Sequence, residues 1–171
     1  MGKALLIIDV QNAMIAVDNP VYQANDKIHK IQSLIQKARI KNIPVIYVQH
    51  NEVGSEFENG TETWKIFDGI KPQVNDTIIQ KTESDSFYET PLKEILEQNK
   101  IDQLVIVGMQ TEYCVNATST RAVKLGYDVT LVKDAHSTWD SDKHSAIEII
   151  DLHHDKWIKN MTLMNEKDVE F

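Results

Sequence analysis

Five short runs of apolar residues, at 4–8, 44–48, 77–79, 104–107 and 129–132, with a weaker sixth at 161–163, limit most strongly how this chain can fold. Two of them, Ala4-Leu5-Leu6-Ile7-Ile8 and Leu104-Val105-Ile106-Val107, are apolar at every position. Strict alternation would leave one face of a strand wet. An unbroken run needs apolar cover on both faces, which a parallel sheet held between two layers of helices provides.

The intervening stretches carry the 3.6-residue period such helices need. Asp26 is placed to cap a helix whose stripe is Ile28, Ile31, Leu34, Ile35 and Ala38, ending at Asn42 ahead of Pro44. Thr90 caps the next, with Pro91 in its first turn and Leu92, Ile95 and Leu96 facing inward. Residues 115–125 form a third, stopped by Gly126, and Ser141 or Asp142 opens a fourth carrying Ala146, Ile147, Ile150 and Leu152. The expected architecture is therefore a three-layer α/β sandwich. Its mostly parallel sheet of five or six strands has the order 3-2-1-4-5-6, with helices on both faces and right-handed crossovers. At 171 residues and without a Gly/Ser/Pro linker, the chain reads as a single domain over 1–171. Residues 50–75 alone lack a period. Gly54, Gly60, Gly69 and the acidic side chains ahead of Trp64 make this a long surface loop with one helical turn at 64–67.

Charge and cysteine content narrow the function. Twenty-six acidic against 18 basic side chains leave a net charge of -8, which repels phosphate backbones and anionic lipid, so neither nucleic acid nor a membrane is expected as a partner. No apolar run approaches the roughly 20 residues of a membrane helix. One cysteine and no leader pattern predict a reduced, cytoplasmic protein.

That cysteine, Cys114, follows the fourth strand and directly precedes a helix, where the dipole favours the attacking thiolate; a structural cysteine packed under the turn is the other reading of the same position. Asp9 ends the first strand as a partly desolvated carboxylate in need of a partner, and Lys81, just past the third strand, reaching in by way of its loop, supplies one. Ligands of open α/β sheets bind beyond the carboxyl ends of the strands, and all three residues lie at such ends. Together they offer a nucleophile, a base and a group that stabilises negative charge.

The segments Ile7-Ile8-Asp9-Val10-Gln11-Asn12, Lys81 followed by Ser86-Phe87, Gly108-Met109-Gln110-Thr111-Glu112-Tyr113-Cys114-Val115 and Asp134-Ala135-His136-Ser137 resemble the isochorismatase-like cysteine hydrolases, which include nicotinamidases. The resemblance runs from residue 3 to about 165. It implies a catalytic triad of Asp9, Lys81 and Cys114, hydrolysis of a small amide or carbamoyl compound through a thioester, and a homodimer or homotetramer. It also implies a cis peptide bond between Met109 and Gln110, which would aim the backbone N–H groups of Gln110 and Cys114 at the developing oxyanion.

The match departs at one place. Nicotinamidases bear a metal motif of Asp-x-His after the second strand and a further histidine beyond it. This chain has His50-Asn51-Glu52 there and no other histidine before His136, so no metal and no cofactor are expected. Candidate substrate contacts are Gln11, Trp64, Phe87, Tyr113 and Trp139, because they neighbour the motifs. His153 and His154 read as solvated side chains on the last helix. Vinyl-ether hydrolysis of isochorismate, also performed in the family, belongs to members that lack the nucleophilic cysteine; a non-catalytic member that binds a metabolite or a partner is the third reading.

Overall fold

In the computed structural model, which describes residues 2–171, six strands form one sheet in the order β3-β2-β1-β4-β5-β6. They are β1 (Gly2–Ile8), β2 (Val45–His50), β3 (Thr77–Lys81), β4 (Ile101–Met109), β5 (Asp128–Ser137) and β6 (Thr162–Met164). Every pairing is parallel, as the continuous apolar runs require. Successive β1 side chains enter opposite cores. Leu5 and Ile7 pack with Ile28, Ile31, Leu34, Ile35 and Ala38 of α2 (Ala24–Ile40). Ala4, Leu6 and Ile8 pack with Leu92 and Leu96 of α3 (Leu92–Gln98), Ala122 of α4 (Asn116–Lys124) and Trp157 of α5 (Ala146–Trp157). To keep these labels in chain order, the short helix Asn12–Ile15 is α1. Each leucine or isoleucine among them taken out of water contributes about 1.5–3 kcal/mol, so the two cores together hold the sheet. None of the helices among the described residues is long and apolar enough to cross a membrane.

The helix boundaries differ from the sequence expectation for local reasons. Gln23 takes the N-cap position of α2 in a left-handed conformation (φ 51), so the helix begins ahead of Asp26, which lies in the first turn and meets the positive end of the dipole. Helix α5 starts at neither Ser141 nor Asp142. Ser145 and Glu148 form a capping box there, while the Ser141 hydroxyl accepts from the backbone N–H groups of Lys143 and His144 and closes a turn of its own. The inward face shifts accordingly: Ile149, Ile150 and Trp157 are buried, and Ile147 and Leu152 are 48% and 50% exposed. The stretch at 50–75 has no helical turn at 64–67. It holds a 3-10 turn at Asp68–Ile70 and an antiparallel bridge between Gln11 and Ile66, which ties it across the carboxyl end of the sheet.

The chain runs outward from β1 to β3 in one direction and from β4 to β6 in the other, so strand order reverses between β1 and β4. There the backbones come unusually close. Gly108 lies opposite Ile8 with φ +126, and a Cβ on it would sit 2.0 Å from the Ile8 carbonyl oxygen. The next residue of the first strand, Asp9, has φ 50, a conformation that few side chains other than Asn and Asp adopt readily.

Candidate active site

Three elements deliver three side chains to that reversal point. Asp9 leaves β1, Lys81 is the last residue of β3, and Cys114 lies in a π-helical turn, Thr111–Val115, between β4 and α4. Lys81 needs no loop to reach in. Strand β3 runs past its apolar core, and from its last position the side chain crosses over β2 with its ammonium 2.8 Å from Asp9 Oδ2 and 3.4 Å from Cys114 Sγ. Both charged side chains are fully buried, and Cys114 is 9% exposed. Neither Asp9 oxygen has a further N–H to satisfy it, which leaves the carboxylate able to accept a proton.

The surroundings hold these groups in place. Lys81 donates to the Glu83 carbonyl at 2.9 Å and lies 3.1 Å from His50 Nδ1, its neighbour across the β2–β3 pairing. The loop after Lys81 is fastened to the helix after Cys114: the Ser86 backbone N–H and hydroxyl meet the Thr118 hydroxyl at 3.1 and 2.8 Å, and all of it is buried. The Met109–Gln110 peptide bond is cis, and the Gln110 carbonyl accepts from the N–H groups of Tyr113 and Val115.

Electrostatics differ from what a thiol at a helix N-terminus suggests. Cys114 sits inside the tight turn. Burial first, then the negative charge of Asp9, pushes its thiol up to about 12, against the opposing pull of Lys81. Burial acts to lower the Lys81 ammonium, but the Asp9 carboxylate, with Cys114 beside it, outweighs this and holds the group above its ordinary value, so it stays charged. The resting site is a buried ion pair beside a protonated thiol.

The candidate contacts separate on inspection. Gln11 is fully buried and its amide is committed: Oε1 accepts from the His50 N–H, and Nε2 donates to the carbonyls of His50 and Trp64. It braces the site and has no group left for a ligand. Trp64 is half-buried with its indole N–H on Asn51 Oδ1 at 2.8 Å. Phe87 stacks on Tyr127 and packs against the core that contains Cys114. Tyr113 is 58% exposed. Trp139 packs against the opposite core and donates to the Asn19 carbonyl.

A second buried network escaped the sequence reading. His136 is fully buried, its Nδ1 lying 2.8 Å from the Thr111 hydroxyl of the cysteine turn and its Nε2 2.9 Å from His154 Nε2. His154 is thus half-buried and bonded to an interior ring, a consequence of the α5 register set by Ser145. Burial, then the neighbouring His154 and Lys27, holds His136 well below the usual histidine value of 6.5, and His154 is lowered as well, burial again the first cause. The unfolded chain takes up protons as pH falls through 6.5 while the folded chain does not, so stability falls below that pH and carries no such cost above it. The midpoint of thermal unfolding is expected to drop between about pH 7 and about pH 5, and His136→Phe to flatten that slope while lowering stability at neutral pH. A slope unchanged in the variant would remove His136 from this account.

The model of the isochorismatase domain matches residues 3–149. The chain belongs to the isochorismatase family. Among isochorismatase-family relatives, a streptothricin hydrolase of Streptomyces noursei is 32% identical over 139 residues, covering 81% of this chain and 55% of that protein, so the chain spans about half of it. Nicotinamidase 3 of Arabidopsis thaliana is 26% identical over 158 residues, covering 84% of this chain and 77% of that protein. A crystal structure of an isochorismatase family protein superposes with a TM-score of 0.90 at 32% identity, covering 95% of this chain and 98% of the other.

The metal motif of the nicotinamidases in this family has no fitting counterpart here. His50 Nδ1 faces the Lys81 ammonium, a fixed positive charge that disfavours a second cation, and Asn51 is spent holding Trp64. Among the described residues no three His, Cys, Asp or Glu side chains gather to ligate an ion.

Proposed function

We propose that this isochorismatase-family chain is a cysteine hydrolase that cleaves a C–N bond of a small amide or carbamoyl compound through a thioester. The convergence of the Asp9 carboxylate, the Lys81 ammonium and the Cys114 thiol at the strand-order reversal carries the reading. Asp9 takes the thiol proton as sulfur attacks the carbonyl carbon, so the thiolate exists only as it reacts; a thiol pushed up to about 12 makes a partner base obligatory. The carbonyl oxygen takes up the electron pair, stabilised by the Lys81 ammonium and the backbone N–H groups of Gln110 and Cys114. The tetrahedral adduct collapses, the C–N bond breaks, and Asp9 returns its proton to the departing ammonia or amine. Water, deprotonated by Asp9, then attacks the thioester carbon; the acid leaves and sulfur regains its proton.

A nicotinamidase and a streptothricin hydrolase among the relatives support hydrolysis of this kind. Vinyl-ether hydrolysis gives Cys114 no task. Phe87 and Trp64 remain the candidate contacts for a flat or apolar acyl group. The test is a panel of small primary amides and carbamoyl compounds, nicotinamide included, read by ammonia release and by intact mass during turnover. At least one compound is expected to release ammonia and to add its acyl mass to Cys114. Silence across the panel in both readouts favours the metabolite-binding reading.

A further inference from the structure

We propose that His136 is a positioning residue for the turn that carries Cys114: its Nδ1 accepts the Thr111 hydroxyl proton, its own proton stays on Nε2 for His154, and the first residue of the turn is thereby anchored to β5; this rests on Cys114 being the nucleophile. The π-type bond of the turn runs from the Asn116 N–H back to the Thr111 carbonyl and encircles Cys114. Both ends of that loop are gripped from outside. Asn116 Oδ1 accepts from the Trp157 indole of α5 at 3.0 Å, and the Thr111 hydroxyl lies 2.8 Å from His136 Nδ1 of β5. Trp157 also meets the His136 ring edge-on, with centroids 5.3 Å apart, so the two grips belong to one packed unit.

The direction of the bonds follows from where the protons can go. Burial, then His154, Lys27 and His153, holds His136 well below its ordinary value, so the ring is neutral, with one N–H and one accepting nitrogen. Its partners are the Thr111 hydroxyl at Nδ1 and His154 Nε2, which lies 2.9 Å from Nε2. Two arrangements are open. With the proton on Nδ1, His136 donates to Thr111, and the Thr111 O–H is left without an acceptor: among the described residues that hydroxyl has no other partner, and the residue is fully buried. With the proton on Nε2, the Thr111 hydroxyl donates to Nδ1, Nε2–H donates to His154, and every buried proton is used. Leaving a buried donor unmade is the costlier outcome, so the second arrangement holds. His136 thus ties down the residue from which the cysteine turn starts, and the lone pair of His154 selects the tautomer that does it.

The tests need no substrate, so a failed anchor and a silent amide panel are told apart. In the nitrogen NMR spectrum of the wild type at neutral pH, His136 is expected as the Nε2–H tautomer with an accepting Nδ1; a proton on Nδ1 overturns the proposal. Cys114, the single cysteine and buried, reacts with iodoacetamide by way of local opening of its turn, so its alkylation rate in the folded protein reads the anchor. Thr111→Val keeps the shape of the side chain and removes the hydroxyl. One hydrogen bond of ordinary net strength changes the opening equilibrium, and with it the rate, by about three- to tenfold, so the Val variant is expected to alkylate that much faster. Thr111→Ser returns the hydroxyl and is expected to alkylate with the wild type. In a His136→Phe background Thr111→Val is expected to add nothing, because the acceptor is already gone. No acceleration by Val, equal acceleration by Val and Ser, or the full Val effect in the Phe background overturns the proposal. Should the Phe background fail to fold, the tautomer and the contrast between Val and Ser decide.

Discussion

Cys114→Ser is expected to lower kcat/KM for any amide the protein hydrolyses by roughly 10⁴-fold or more while leaving the unfolding midpoint close to that of the wild type. The loss is large because two quantities move together. A hydroxyl in the same buried turn is a far weaker acid than the thiol, so Asp9 is no longer matched to its proton, and the alkoxide cannot use the soft, polarizable attack that sulfur makes. The stability change is small because oxygen replaces sulfur in one turn of an otherwise intact core, with Lys81 and Asp9 still paired at 2.8 Å. Circular dichroism with steady-state kinetics separates the two effects. Wild-type turnover in the serine variant would remove the thioester from the mechanism, and loss of folding would show that sulfur is a packing element after all.

Gly108→Ala is expected to be the most damaging single-methyl change in the chain. Its Cβ would lie 2.0 Å from the Ile8 carbonyl oxygen and within 2.8 Å of the Ile8 nitrogen and carbonyl carbon, all of them backbone atoms that no rotamer change can move. The residue also has φ +126, where a side chain is strained before it meets any neighbour. Overpacking and backbone strain each cost about 1–3 kcal/mol, so a loss of roughly 2–6 kcal/mol in unfolding free energy is expected from denaturant titration. The relief available is for β1 and β4 to part. That movement separates Asp9, one residue beyond Ile8, from Cys114, and a shift of about 1 Å at such a centre costs on the order of 100-fold in rate even in molecules that remain folded. Unchanged stability and rate would mean that the two backbones stand farther apart than described.

How much of this was legible follows from which residues act locally. The strand runs were legible because burial on both faces leaves them almost wholly apolar, and their alternation with helical stripes sufficed for a parallel sheet between two helical layers. Asp9, Lys81 and Cys114 were legible as strand-end chemistry, yet the route of Lys81 was misread: Gln80 and Lys81 look like the start of a loop, and only the ammonium's pairing with Asp9 across β2 explains why β3 continues to them. The π-helical turn left no trace, since residues 111–115 satisfy an ordinary helical period equally well. The last helix was misplaced although its signal was present, as Ser145 and Glu148 have capping-box spacing while Ser141 and Asp142 do not. That slip put Leu152 inside and His154 outside, and so hid the His136–His154 pair. His50 was out of reach for a different reason. A histidine ending a strand is unremarkable until the sheet order sets it opposite Lys81.

The resting protonation of Cys114 bears on how the protein ages. Oxidation by peroxide proceeds through the thiolate and through exposed sulfur, climbing from sulfenic to irreversible sulfinic acid. A thiol pushed up to about 12 and 9% exposed presents little of either, so the proposed nucleophile is shielded from oxidation at rest. In the proposed mechanism its reactivity arises only as Asp9 takes its proton during attack on a carbonyl, which sets this cysteine apart from the redox-sensing thiols that a low pKa leaves permanently open to attack.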